Sequence, residues 1–418
     1  MKKILSNNYF VSLVSKIITT LIAVLNSIMI NRYLGPTLKG EYTVIINTIA
    51  ILVLVLNLGI YQTYPIFKKK ELENVKNIFL NNIFLLFVIM FSVAIIISFF
   101  IKNLFVLVIL LTPLMVLSRQ LNFIILVEKP NTRNLINILD TLFYFGIILI
   151  VYFFIPFSAD SLNYIISAMF AKEIIFVLLS VIFFKIKFNY KDINIKILFK
   201  SIKMGFIPML IVLLLNLNYK IDTLILKLFV DYYYIGIYSV GVLLAEQVWL
   251  VTDAFKEILF SRMAKEAGYS ETVFVAKINI YGVWIVMFLM LFLGKYIINF
   301  LYGQEYVEAH YITVIMLFGV SGMTIYKILY PYYLANNLRT ISLIILAIST
   351  SINIILNFIL IPFFGIMGAA SVAAISYMVC GIAYMIDFNK RTNSKISDFL
   401  LIKKTDFKKF KSLFSKGE

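Results

Sequence analysis

Residues 216–238 read NLNYKIDTLILKLFVDYYYIGIY and place Lys220 and Asp222 inside an otherwise apolar run. A formal charge near the centre of a membrane helix costs about 3 kcal/mol on insertion scales, so it ordinarily faces a protein partner or a wet cavity. Asn216, Lys220, Thr223 and Lys227 recur at helical spacing, with Asn218 and Asp222 on the neighbouring edge, which makes one face of this helix polar. That face admits two readings: it lines a substrate cavity, or it forms a buried polar cluster that joins helices. Lys220 and Asp222 stand two residues apart and do not face each other, so each needs its own partner.

The rest of the chain has the same apolar character. Of its 418 residues 62% are hydrophobic and 14% charged, and the mean hydropathy is +0.96. A soluble fold of this length cannot hide so much apolar surface, so the composition defines an all-α polytopic membrane protein. The first apolar segment, 9–30, is too long for a signal-peptide core and lacks a small-residue cleavage site, and it reads as a helix of the mature protein. A single cysteine, Cys380, excludes an internal disulfide.

Apolar runs bounded by charges and turn residues predict twelve spans, at 10–31, 42–64, 77–101, 104–127, 135–157, 163–184, 204–229, 232–255, 277–301, 311–334, 341–362 and 366–388. Only Lys102 and Asn103 separate the third from the fourth. The basic residues test that boundary. With the N-terminus inside, 28 of the 38 fall in cytoplasmic segments, three (Arg32, Lys39, Lys102) in outer loops and seven within spans. This asymmetry predicts cytoplasmic termini and an even number of spans, and it accounts for the net charge of +17 without nucleic acid. Two basic stretches with spaced apolar residues, 188–203 (Ile195, Leu198, Phe199, Ile202) and 395–416 (Phe399, Phe407, Phe410, Leu413), read as helices lying on the anionic inner leaflet.

An internal repeat divides the spans. Arg133 precedes Ile155-Pro156-Phe157 as Arg339 precedes Ile361-Pro362-Phe363, at an offset of 206. An offset of 196 aligns Gly40-x-Tyr42 with Gly236-x-Tyr238, Thr20 with Asn216, Ser27 with Thr223 and Asn31 with Lys227. The expected organisation is a first six-helix lobe with its surface linker at 1–203, a second six-helix lobe at 204–388 and a basic cytoplasmic tail at 389–418. Two like lobes suggest alternating access with a site between them. At 1.5 Å per residue, Lys16, Arg119 and Lys327 all lie about 9–12 Å from the inner ends of their spans, and Lys220 and Asp222 about 24–27 Å out. Convergent cations at one level would make a pocket for a phosphate-bearing headgroup. Asp140 and Glu246 are the available counter-charges, and Thr20, Asn26, Asn216, Asn218 and Thr223 the polar lining. Pro113, Pro208 and Pro331 are candidate hinges.

Four elements carry a family resemblance. Arg32-Tyr-Leu-Gly-Pro-Thr-Leu-Lys-Gly-Glu-Tyr42 resembles the R-x-L-G-P-x-x-x-G-x-Y element of the oligosaccharide-lipid flippases, the polysaccharide transporter branch that shares its fold with multidrug and toxin extruders. Asn218-x-Lys220-x-Asp222 resembles that family's N-x-R-x-D, with Lys in place of Arg. Leu301-Tyr-Gly-Gln-Glu-Tyr306 resembles its turn after the ninth span, and Asn353-x-x-x-Asn357-x-x-Leu360-Ile-Pro362-x-x-Gly365-x-x-Gly368 its last two spans. The resemblance implies a MATE-like fold in a bacterial plasma membrane. It also implies translocation of an undecaprenyl-pyrophosphate-linked oligosaccharide from the inner to the outer leaflet for capsule, O-antigen or exopolysaccharide synthesis. The implied partners are that lipid-linked oligosaccharide, membrane lipids, and the polysaccharide polymerase and export machinery.

Two other classes compete. A multidrug extruder of the same superfamily would place acids in the first lobe's cavity, where the sequence offers mostly Lys and Arg, with Asp140 the exception. A membrane enzyme of lipid-linked sugars needs an acid/base or metal constellation, and the single histidine, His310, has no metal-ligand repeat around it. The reading is therefore a transporter with no catalytic residues, no metal and no cofactor.

Overall fold

The structure, a computed structural model, describes residues 8–70, 74–101, 105–253, 255–256, 269–401, 403 and 406, and within these the side chains from residue 14 onward except that of residue 270. Every regular element among them is helical. In chain order they are α1 (Asn8–Leu56), α2 (Ile60–Lys69), α3 (Val75–Ser98), α4 (Phe105–Glu128), α5 (Pro130–Phe154), α6 (Ser161–Phe184), α7 (Ile195–Leu226), α8 (Tyr232–Glu246), α9 (Tyr269–Tyr302), α10 (Ala309–Ala335), α11 (Arg339–Thr392) and α12 (Ile396–Leu400). Nine helical stretches among the described residues are long and apolar enough to cross a membrane. The chain divides into two compact units, Met1–Leu213 and Leu214–Glu418, and the division falls within α7. Lys102 and Asn103, on which the third span boundary rests, lie outside the described residues, as do Phe407, Phe410 and Leu413.

The first unit is built on breaks at glycine. α1 is interrupted at Gly35 (φ 65°, ψ 173°), directly before Pro36. Only glycine takes that conformation readily, so the G-P of the first motif marks a junction of two helices. A second break follows Leu56, where Leu58 and Gly59 have positive φ. It divides the predicted span 42–64, and the Asn57 carbonyl at the break accepts from the Ile60 amide at 3.2 Å and from Gln120 on α4 at 3.3 Å. A Cβ on Gly59 would stand 2.2 Å from the Gly205 carbonyl oxygen, so α7 meets this turn backbone to backbone. One apolar cluster joins Ile30 and Leu34 of α1 with Leu111, Ile148 and Ile165. Another joins Tyr64, Phe79, Leu121, Ile136 and Phe176.

The surface-helix expectation for 188–203 is corrected. Residues 195–203 form the start of α7, which runs unbroken to Leu226. Leu198 is buried in the first unit, and Asn82 fastens the entry by exchanging bonds of 3.0 and 3.1 Å with the Asn194 backbone. The tail differs too: Phe399 is fully buried against Phe388, 6.2 Å between ring centroids, and so faces protein where the leaflet was expected. Lys277 holds the same segment, donating to Asp406 at 2.6 Å and to the Leu401 carbonyl at 2.7 Å. Pro113, Pro208 and Pro331 lie inside continuous helices, and the non-helical points are glycines.

In the second unit α10 is the buried centre. A Cβ on Gly381 of α11 would stand 2.0 Å from the Gly322 oxygen, and one on Gly319 would stand 2.4 Å from the Ala374 Cα. α11 is broken at Gly365 (φ 53°, ψ −133°), three residues after Pro362, so the P-x-x-G of the last motif also marks a junction.

Candidate functional site

In the first unit α4, α5 and α6 surround a cavity of about 670 Å3. Helical spacing aims polar groups into it: Arg119 and Asn122 from α4, Arg133, Asn137 and Asp140 from α5, Lys172 and Glu173 from α6. Arg133 Nε donates to Asn122 Oδ1 at 2.8 Å, and Asn122 Nδ2 donates to Asn137 Oδ1 at 2.8 Å. This neutral amide pair orients the Arg133 guanidinium. Arg119 is exposed to the cavity and makes no ion pair among the described residues. Lys172 takes both acids, Glu173 at 3.4 Å and Asp140 at 3.8 Å. The site thus separates into a Lys-carboxylate cluster and two guanidiniums that line the same cavity, one of them bonded to Asn122.

Of the residues picked from sequence, Arg119 and Asp140 line this cavity and Lys16, Thr20 and Asn26 do not. Lys16 lies on α1 next to Ser15, whose Oγ donates to the Asn134 carbonyl at 3.4 Å. Asn26 is buried, and its Oδ1 has no hydrogen-bond partner among the described residues. Arg133, Asn122, Asn137 and Glu173 were missed. Their signal was present: Arg133, Asn137 and Asp140 recur at i+4 and i+3. The expectation of a single acid in this lobe is corrected by Glu173.

In the second unit the motif Asn218-x-Lys220-x-Asp222 splits by role. Asn218 is 0% exposed and sits in a side-chain network. It donates to Ser349 Oγ at 2.7 Å and accepts from Ser376 Oγ at 2.7 Å and Asn353 Nδ2 at 3.3 Å, while Asn357 donates to Asn353 at 2.7 Å. Its surroundings are therefore helix α11, on both sides of the Gly365 break. Asp222 accepts from Tyr238 Oη and, at 2.7 Å, from the Thr223 amide. The tyrosine of Gly236-x-Tyr238 is thus a hydrogen-bond partner of Asp222, and Thr223, also buried, belongs to the same contact. Lys220 and Asn216 remain half-buried, and Glu246 accepts from Tyr377 Oη at 3.4 Å. Lys327 pairs with Asp253, 3.2 Å to each oxygen, and stands 4.5 Å from the Trp249 ring. Asp253 was missed as its counter-charge, although it follows Glu246 by seven residues on one apolar run. Asp222, Glu246 and Asp253 stand here with Lys220 and Lys327, a local excess of acids, although the second unit's spans also carry Lys227 and Lys295.

A multi-pass helical protein of two units with charge buried at membrane depth is of the transporter class. A family model described as polysaccharide biosynthesis protein matches residues 5–251, and the chain belongs to that family. It is similar in fold to the lipid II flippase MurJ in an inward closed conformation (TM-score 0.73, 15% identity, 98% of this chain and 93% of that one). It is also similar to an inward-facing multidrug resistance MATE family transporter of the MOP superfamily (TM-score 0.70, 13% identity, 92% and 98%). An uncharacterized membrane protein of Methanocaldococcus jannaschii is 33% identical over 130 residues, which span 30% of this chain and 26% of that relative.

Proposed function

We propose that the protein is a flippase for undecaprenyl-pyrophosphate-linked oligosaccharides, working by alternating access in a bacterial plasma membrane with both termini cytoplasmic. α1 and α11 each cross twice about their glycine breaks, and α8 with its continuation completes twelve spans. The observation that carries the substrate reading is the pair Arg119 and Arg133, lining a polar cavity whose two acids are already engaged by Lys172. Guanidiniums bind phosphate oxygens in forked geometry, and Asn122 holds one of them in place before the substrate arrives. Lys16 and Lys220 would add attraction for the anionic headgroup along its path, Lys327 being already held by Asp253, and Asp140, Asp222 and Glu246 would act as coupling or counter-charges. Polysaccharide polymerase and export proteins would receive the product. Family and fold neighbours are flippases and transporters, which supports transport without a catalytic step.

Glu173 beside Asp140 favours one second reading, a cation-coupled drug extruder using this acidic pair. Reconstituted liposomes separate the two. A fluorescent undecaprenyl-pyrophosphate oligosaccharide is expected to cross in a protein-dependent way, and Arg119→Glu to abolish crossing. pH-driven efflux of organic cations, with no lipid movement, would transfer the protein to the extruders.

A further inference from the structure

Two sequence motifs have no part in that cavity: Arg32-Tyr-Leu-Gly-Pro and Ile155-Pro156-Phe157. The first unit brings them together. A second cavity, about 430 Å3, is lined by Arg32 and Tyr33 of α1, by the last turn of α5 and by the segment 155–157. Tyr33 is 8% exposed, and its hydroxyl has no hydrogen-bond partner among the described residues. A buried phenol left unpaired is costly, and an orphan of this kind asks what it binds. Arg32 is exposed at the same mouth. Phe153, Phe154 and Phe157 are 69%, 80% and 66% exposed, an aromatic collar of the sort found where membrane meets water.

The place of this cavity is fixed by α5. Arg133 lies near the start of that helix and Phe153 near its end, and twenty residues of helix span about 30 Å, the thickness of a bilayer's hydrocarbon core. The first unit therefore carries one basic cavity towards each face of the membrane. The repeat supplies an internal control. At the offset of 196, Arg32 and Tyr33 correspond to Leu228 and Phe229, while the Gly-x-Tyr frame downstream recurs. The second repeat builds its helices without the guanidinium and without the phenol. Neither group is a requirement of the repeated fold.

We propose that this cavity binds the phosphate of a membrane lipid. Arg32 takes the phosphate oxygens, Tyr33 Oη donates to one of them, and the phenylalanines lie among the chains. The reading of function above enters only through orientation, which puts the cavity at the outer leaflet, where a translocated lipid would arrive.

The test is lipid retention by the purified full chain in native mass spectrometry. Its probes are phosphatidylglycerol, undecaprenyl phosphate, a diacylglycerol of matched chains, and inorganic phosphate. Either phosphate lipid should be retained about tenfold better than diacylglycerol, the worth of one charge-assisted hydrogen bond. The double variant Arg32→Gln, Tyr33→Phe should bring that ratio near one, and Leu228→Gln should leave it unchanged. A preference between the two phosphate lipids identifies the source, and either preference supports the site. Equal retention of diacylglycerol, an unchanged ratio in the double variant, or displacement by equimolar inorganic phosphate overturns it. Should the double variant not be recovered folded, Tyr33→Phe alone removes one oxygen and should weaken retention about threefold. No change there also overturns the site. Binding is measured without translocation, so loss of flipping with the lipid preference intact strikes only the proposed function.

Discussion

Asn218→Ala separates packing from transport at the motif most expected to line a cavity. The side chain is fully buried and bonds three others, at 2.7 Å to Ser349, 2.7 Å to Ser376 and 3.3 Å to Asn353. Interhelical hydrogen bonds in membrane proteins average about 0.6 kcal/mol, so the three together are worth about 2 kcal/mol. The partners limit further loss, because Ser349 and Ser376 also bond each other's backbone, at 2.9 and 3.0 Å, and so keep acceptors. The variant should lose about 2 kcal/mol in a steric-trapping unfolding equilibrium, while lipid translocation per folded molecule stays near that of the parent. Stability unchanged within about 0.5 kcal/mol, with translocation abolished, would refute the reasoning and return Asn218 to the transport path.

Lys220 makes the opposite expectation. It is half-buried among acids, with Glu246 and Asp222 in its field; Lys220→Arg should keep translocation within about threefold, and Lys220→Glu, which adds a third acid there, should abolish it. Equal activity of the two variants would make the charge irrelevant. At the first unit's turn, Gly59→Ala meets both a φ of +68° and the Gly205 backbone at 2.2 Å and should yield no folded protein, whereas Gly146→Ala, with nothing within 4 Å of the new Cβ, should be recovered at parental levels. Expression and thermal unfolding of the pair decide it, and normal folding of Gly59→Ala would show that α7 can move away from the turn.

Hydropathy made the helices legible, because each crossing must bury its own backbone bonds and so shows as an apolar run. The breaks were harder. Gly35 lies directly before a proline and Gly365 three residues after one, and the breaks fall at these glycines, whereas Pro113, Pro208 and Pro331, the candidate hinges, are carried within helices. The start of α7 was misread for a different reason. An amphipathic pattern with Ile195 and Phe199 exposed suits a lipid surface and a protein surface equally, and Leu198 together with the Asn82 clasp decides for protein. Contacts across the chain left no periodic trace at all. Lys277 with Asp406 and Lys327 with Asp253 are pairs whose partners stand 129 and 74 residues apart.

The site shows why residue type alone ranked the charges poorly. Depth put Lys16, Arg119 and Lys327 on one level as equals, yet what a buried cation can bind depends on what already neutralises it. Lys327 is held by a bidentate carboxylate and Lys172 by two acids, so neither offers a full charge to a ligand. Arg119 faces a cavity, and Arg133 is steadied by an uncharged amide. The same distinction divides the repeats. Lys327 in the second half is paired with Asp253, and Leu228 and Phe229 stand where the first half has the arginine and tyrosine that line its far cavity. The offset of 196 aligns the two helical frames, and the arginine and tyrosine stand in only one of them. A headgroup carrying phosphate would therefore find two guanidiniums lining one cavity of the first unit and a third lining the other.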